Sequence, residues 1–96
     1  MSEREEKSPF QLEEVAEMLS LEVETIRTYE REGLVRSRGQ VYSSKEVLRI
    51  RRIGTTVELG VNLAGAEVVC NLLERLDDLT HELEVRKEQI RRLLED

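Results

Sequence analysis

The chain has 96 residues, 38% of them charged and 3% aromatic, and carries a net charge of −6. That length holds one domain with at most a short appendage, and its limited core favours stabilisation by a partner. A single cysteine, Cys70, and a single histidine, His81, exclude an intrachain disulfide and a cysteine metal cluster. No apolar run approaches the roughly 20 residues that span a bilayer, and no charged-then-apolar signal segment opens the chain. The expectation is a cytoplasmic protein with no metal, no cofactor and no membrane contact.

Met1 to Pro9 is polar, with a break at Ser8-Pro9, and reads as a flexible tail. Phe10 and Leu12 alternate with Gln11, which suits a short strand or an extended lead-in. Glu13 to Leu19 then has helical spacing, with Val15, Ala16, Met18 and Leu19 on one face. Ser20-Leu21-Glu22 is a short turn. A second helix runs from Val23 to about Glu32, with Val23 and Ile26 inward and Arg27, Thr28 and Arg31 outward. Gly33 suits the left-handed position after a helix, and Leu34 follows where such a motif wants an apolar contact.

Val35 to Tyr42 reads as a small hairpin with Gly39 in its turn. Ser43 and Glu46 have capping-box spacing for a third helix, from Ser44 to about Leu59. Its apolar side holds Val47, Ile50, Val57 and either Leu48 or Ile53. Gly54 predicts a bend or a close helix contact. Gly60 is the next stop and Asn62 the next N-cap, so the fourth helix begins at Leu63. From Val69 the apolar positions fall into heptads: Val69, Leu72, Leu76, Leu79, Leu83, Arg86, Ile90 and Leu93, with only Arg86 polar. Such spacing predicts a coiled coil, although the stripe can also be covered by packing back on its own domain. Arg86 either specifies register or lays its stem across the interface.

The charge is unevenly placed. Between Arg27 and Arg52 lie eight basic residues and three acidic ones, a net +5, and the rest of the chain carries −11. A local basic patch is what a phosphate backbone requires. Helix, tight turn, helix and Gly-ended hairpin together give the layout of a winged helix-turn-helix, in a mainly α fold. In that layout the N-terminal half of the second helix enters the major groove. There Thr25, Arg27 and Thr28 can reach base edges, and Arg36 and Arg38 can hold phosphates. Arg31 either joins them or pairs with neighbouring glutamates. Lys45 is counted with the contacts, whereas Arg49, Arg51 and Arg52 read mainly as a solvated helix face.

The run Leu21-Glu22-Val23-Glu24-Thr25-Ile26-Arg27-Thr28-Tyr29-Glu30-Arg31-Glu32-Gly33-Leu34-Val35 resembles the recognition helix of the MerR family of bacterial regulators and its exit into the wing. Tyr42-Ser43 with Glu46-Val47 resembles the start of that family's third helix. Gly60-Val61-Asn62-Leu63-Ala64-Gly65 is similar to one branch, the heat-shock repressor HspR, which the Arg27-Thr28-Tyr29 triplet also suits. The resemblance implies DNA contacts from Arg27, from the hydroxyl of Tyr29, and from the wing segment Arg36 to Tyr42, including Gln40. Tyr29 and Tyr42 can instead be core aromatics, with Tyr42 packed under the wing.

The resemblance further implies an antiparallel coiled-coil homodimer through Leu72, Leu76, Leu79, Leu83, Arg86, Ile90 and Leu93. A DnaK-type chaperone as co-repressor is implied in the same way. Three departures stand out. The wing is short, Gln40 stands where the family commonly has Arg, and Glu22 stands at an N-cap where Ser or Thr is usual. They predict weaker or more salt-sensitive DNA binding.

The division expected is therefore a tail over 1–9, a winged helix-turn-helix over 10–75 and a coiled-coil helix over 76–96. The function expected is a dimeric transcription factor, most simply a repressor of stress or chaperone genes on an inverted-repeat operator. With no effector domain after the heptads, regulation is expected from a protein partner, temperature or abundance. The competing function is a protein-binding adaptor that kept the fold, suggested by the acidic balance, Glu22 and Gln40. Catalysis is not expected, since no phosphate loop and no nucleophile-base pair is recognisable and Asp77-Asp78 read as solvated. Cys70, among Val68, Val69, Leu72 and Leu73, reads as a small buried hydrophobe, and His81 falls at an outward heptad position.

Overall fold

The computed structural model describes residues 9–95, so the expected tail lies, but for Pro9, outside the described residues. The described chain is mainly helical. Its elements are β1 (Phe10–Gln11), α1 (Leu12–Leu19), α2 (Val23–Arg31), β2 (Val41–Tyr42), α3 (Ser44–Glu58) and α4 (Leu63–Glu95).

Local chemistry explains most of the boundaries. Glu14 reaches back to the Gln11 N–H at 2.9 Å and fixes the start of α1. The helix ends with Ser20 in the left-handed region at φ 56. The Leu21 N–H then bonds the Ala16 carbonyl and the Ser20 N–H bonds that of Glu17, a Schellman closure made without glycine. α2 closes in the same way as expected. Gly33 takes φ 81, its N–H bonds the Glu30 carbonyl, and the Leu34 N–H bonds that of Tyr29. Leu34 is buried, which supplies the apolar contact.

The segment after α2 differs from the expected hairpin. Arg38 and Val41 exchange both backbone hydrogen bonds around Gly39-Gln40, where both residues have positive φ, 57 and 65. That is the geometry of a type I′ turn, which suits Gly39 and is uncommon for glutamine. Beyond this one bridge the segments do not pair. Val41–Tyr42 pairs antiparallel with β1 instead, Phe10 opposite Tyr42 and Gln11 opposite Val41. The first strand is thus used to hold the turn against the domain.

α3 starts on Ser43, whose Oγ accepts the Glu46 N–H at 3.2 Å. Ile50 and Ile53 are fully buried and Leu48 is exposed, which resolves the alternative in favour of Ile53. Helix α3 runs unbroken through Gly54, where an added Cβ would meet Leu21 and the Tyr29 hydroxyl no closer than 3.7 Å. This is ordinary packing, neither a bend nor a tight crossing. Gly60, at φ 98, turns the chain. Asn62 then caps α4 by accepting the Gly65 N–H at 2.8 Å.

One core joins α1, α2, α3 and the first turns of α4, through residues such as Val15, Ile26, Tyr42, Ile50, Ile53, Ala66 and Cys70. Past about Asp77, α4 leaves that core. At 1.5 Å per residue, its 33 residues make a rod about 50 Å long, which gives the molecule its 56 Å dimension. Among the described residues no helix is long and apolar enough to cross a membrane.

Candidate nucleic-acid interface

The outward face of α2 is set by what its inward face buries. Ile26 and Tyr29 are in the core, so Arg27 and Arg31 point to solvent and Thr28 is half exposed. The face is partly organised. The Thr28 hydroxyl donates to the Glu24 carbonyl at 2.9 Å and accepts from the Arg31 guanidinium at 3.1 Å. Arg27 lies 3.9 Å from Glu24, and both side chains are well exposed, so this pair is weak and leaves Arg27 available. Glu22 is the N-cap residue of α2 but makes no side-chain capping bond. Its carboxylate acts only as a charge near the helix N-terminus.

Two carboxylates hold the turn beside α2. Glu30 accepts from the Tyr42 hydroxyl at 2.7 Å and from the Ser37 hydroxyl. Glu46 accepts the Arg36 N–H at 3.0 Å. In a full capping box Glu46 would fold back to its own helix; here it is turned outward to the loop. The backbone around Arg36 to Arg38 is thereby fastened while both guanidinium groups stay exposed. They border one open cleft with Val41 and Ser43. Arg27 weakly favours ionisation of the Tyr42 hydroxyl, the smallest of the influences on it. Gln40, at the tip, and Lys45, in the first turn of α3, are also exposed.

Tyr29 and Tyr42, expected either at the DNA or in the core, are both buried. Tyr29 is 4% exposed and Tyr42 1%. Burial raises the pKa of Tyr29, with a smaller push from Glu58. Tyr42 is pushed up to about 12, first by burial and then by its bond to Glu30. Tyr42 lies under the turn with its hydroxyl already engaged. The Tyr29 hydroxyl faces Gly54 of α3. Thr25 is half buried at the start of the helix.

Arg49 and Arg52 are not a solvated face. Arg49 binds the Leu34 carbonyl and Glu74 at 2.8 Å, with only 12% of its side chain exposed. Burial works against its charge, but the bond to Glu74 and the nearby carboxylates leave its pKa raised. Arg52 pairs with Asp77 at 3.0 Å. These two cations lock α4 to α3 rather than adding to the patch, and Asp77 is thus a partner in an ion pair. Among the described residues, Arg31, Arg36, Arg38, Lys45 and Arg51 make no ion pair. With the weakly paired Arg27, they are the cations of the basic stretch between Arg27 and Arg52 that stay available to a polyanion. Cys70 is buried as expected; burial raises its pKa and its thiol lies 3.8 Å from the Arg49 carbonyl.

Glu30, Glu46 and Arg49 are the organising residues that sequence reasoning missed. Each has its partner 7 to 25 positions away, beyond the reach of helical periodicity.

No curated protein and no solved structure matches the chain. Residues 10–73 match the family model described as MerR HTH family regulatory protein. That match takes in β1, α1, the turn, α2, β2, α3 and the start of α4, more than half of the chain. With α1, its tight turn and α2 as the helix-turn-helix, the chain belongs to the MerR HTH family of DNA-binding regulatory proteins.

Proposed function

We propose that the chain acts as a dimeric, sequence-specific transcriptional repressor that reads an inverted repeat. The observation that carries this is the outer face of α2, on which Arg27 is exposed, beside a turn that Glu30 of the same helix holds through Ser37 and whose Arg36 and Arg38 are exposed. The N-terminal half of α2 enters the major groove, and Thr25, Arg27 and Thr28 face the base edges. Arg31, Arg36, Arg38, Gln40 and Lys45 flank it at the phosphates, the turn at Gly39-Gln40 serving as a short wing. Tyr29 and Tyr42 act indirectly, by fixing α2 and the turn from behind.

The dimer reading is supported by α4. Leu72, Leu76, Leu79, Leu83, Ile90 and Leu93 are 47–76% exposed in the single chain. An apolar stripe of that length on a projecting helix requires a cover, and a second α4 in antiparallel orientation supplies one. A two-fold dimer also matches a two-fold operator.

Heat-shock or chaperone genes as targets, and a DnaK-type chaperone as co-repressor, rest on the HspR-like stretch Gly60 to Gly65. Within that stretch Asn62 caps α4, and a Cβ at Gly65 would lie 2.7 Å from Val61 and 3.3 Å from Asn62. A cytoplasmic location follows from the same reading.

Selection of bound duplexes from a random library tests the function. The expected product is an inverted repeat with half-sites on one face of the helix. A pool that remains random through repeated rounds would favour the adaptor function and sink this one.

A further inference from the structure

The outer face of α2 is one continuous stripe. Glu24, Arg27, Thr28 and Arg31 follow at i, i+3, i+4 and i+7, the spacing that brings side chains to one side of a helix. Ile26 and Tyr29 are buried on the opposite side. Glu24 lies in the first turn. It therefore leads the stripe, at the end that a recognition helix carries to the base edges.

The groups at that end differ in what they can still offer. The Thr28 hydroxyl donates to the Glu24 carbonyl at 2.9 Å and accepts from Arg31 at 3.1 Å, so no hydroxyl donor remains for a base. Thr25 is half buried. The Glu24 and Arg27 side chains are 76% and 47% exposed, and 3.9 Å separates carboxylate from guanidinium. That is too long for a hydrogen bond, so each keeps its bonding capacity.

An ionised carboxylate only accepts, and a guanidinium only donates. A carboxylate carried into the groove without a donor loses its water uncompensated. The donors of the major groove are the amines of cytosine, at N4, and adenine, at N6. Adenine N6 stands between two acceptors, its own N7 and the paired thymine O4. Both repel a carboxylate. Cytosine N4 has an acceptor on one side only, the O6 of its paired guanine, and a guanidinium is the natural partner for that oxygen.

Resting on the assignment of α2 as the reading helix, we infer that Glu24 is a specificity-determining residue that accepts from the N4 amine of a cytosine. Arg27 donates to O6 and N7 of a guanine in the same base pair or the next. Three residues advance about 4.5 Å along a helix, roughly one step of about 3.4 Å in the duplex. Glu24 also rejects. Thymine or guanine at its position sets O4 or O6 against the carboxylate, a repulsion that discriminates as strongly as an attraction. The same charge weakens the hold on every duplex, because it faces phosphates as well as bases.

Selection from a random duplex library, run in parallel on the full chain as wild type, Glu24→Gln and Glu24→Ala, reads this directly. Circular dichroism checks that each variant keeps its helicity, which an exposed side chain should not alter. The wild type is expected to select cytosine at one half-site position, with any other base there weakening binding about ten- to a hundredfold. Glutamine both donates and accepts and so matches N6 and N7 of adenine. Glu24→Gln should therefore move that position from cytosine to adenine. Glu24→Ala should lose the preference there and keep the guanine read by Arg27. Both variants should bind random duplex more tightly, having lost one negative charge.

The same bases selected at every position by all three proteins overturn the role of Glu24 and leave α2 as the reading helix. A preference that changes with Glu24 but starts from a base other than cytosine overturns the assignment of the amine. A wild-type pool that stays random overturns both this inference and the function on which it rests.

Discussion

Tyr42→Phe removes one hydroxyl from beneath the turn and leaves the ring in place. The ring is 1% exposed, so its packing is retained. What is lost is the 2.7 Å bond to Glu30. A hydrogen bond to a charged group contributes about 1.5–3 kcal/mol net. Glu30 is half buried and keeps its bond from Ser37, which points to the lower end, about 1.5 kcal/mol. For a domain of this size that is roughly 6–12 °C in Tm, compared at one protein concentration because a dimer's Tm depends on it.

A pH series gives a second readout. The folded-state pKa of Tyr42, about 12, lies above the ordinary value of 10.0. The neutral hydroxyl therefore stabilises the fold fully below pH 10, and its contribution is lost as pH rises towards 12. Within that window the wild type should lose stability more steeply than Tyr42→Phe. Thermal unfolding at pH 8 to 11 measures both effects. The reasoning is refuted if Tyr42→Phe unfolds like the wild type while its DNA affinity drops, for then the hydroxyl serves DNA and not the fold.

Arg49→Ala should destabilise by about 2–3 kcal/mol in urea unfolding, since it deprives the Leu34 carbonyl and Glu74 of their common partner; a change within about 0.5 kcal/mol would show that these contacts do not anchor α4. Two glycine substitutions should separate. Gly65→Ala places a Cβ 2.7 Å from Val61 and should cost about 1–2 kcal/mol through clash or loss of the Asn62 cap. Gly54→Ala meets nothing closer than 3.7 Å and should be neutral or stabilising by up to about 1 kcal/mol from helix propensity. Arg86→Leu makes the apolar series of α4 continuous, and the dimer should tighten roughly tenfold or more by sedimentation. Weaker association would remove Arg86 from the seam.

The helix boundaries were legible because their signals are local. Gly33-Leu34, the Ser43 cap, Gly60 and Asn62 each act within a few residues, and each stands where its chemistry predicts; only the Glu46 half of the expected capping box is spent elsewhere, on Arg36. The outward placement of Arg27 and Arg31 was legible from the period set by Ile26. The pairing of β1 with β2 was not, because strands of two residues have no period and their partners lie about thirty positions apart.

The fate of the charges was equally hidden. Arg49 and Arg52 are indistinguishable by sequence from Arg51, and only the approach of α4 decides that Glu74 and Asp77 neutralise the first two. For the tyrosines, the deciding fact is depth. Tyr29 follows Thr28 on the helix, and a turn of 100° per residue carries it from the exposed face into the core.

The most direct test of the account is the affinity for a selected inverted repeat and for a random duplex of equal length, measured over a range of salt for the wild type and Arg27→Ala. Neutralised phosphates make the logarithm of affinity fall linearly with that of salt, with a slope near 0.9 per phosphate contacted. The account predicts a steep fall for the wild type and tighter binding to the repeat by about a thousandfold or more. It predicts that Arg27→Ala removes that preference while keeping its fold. Equal affinity of the wild type for both duplexes, or a full preference retained by Arg27→Ala, would contradict the assignment of α2 as the reading helix.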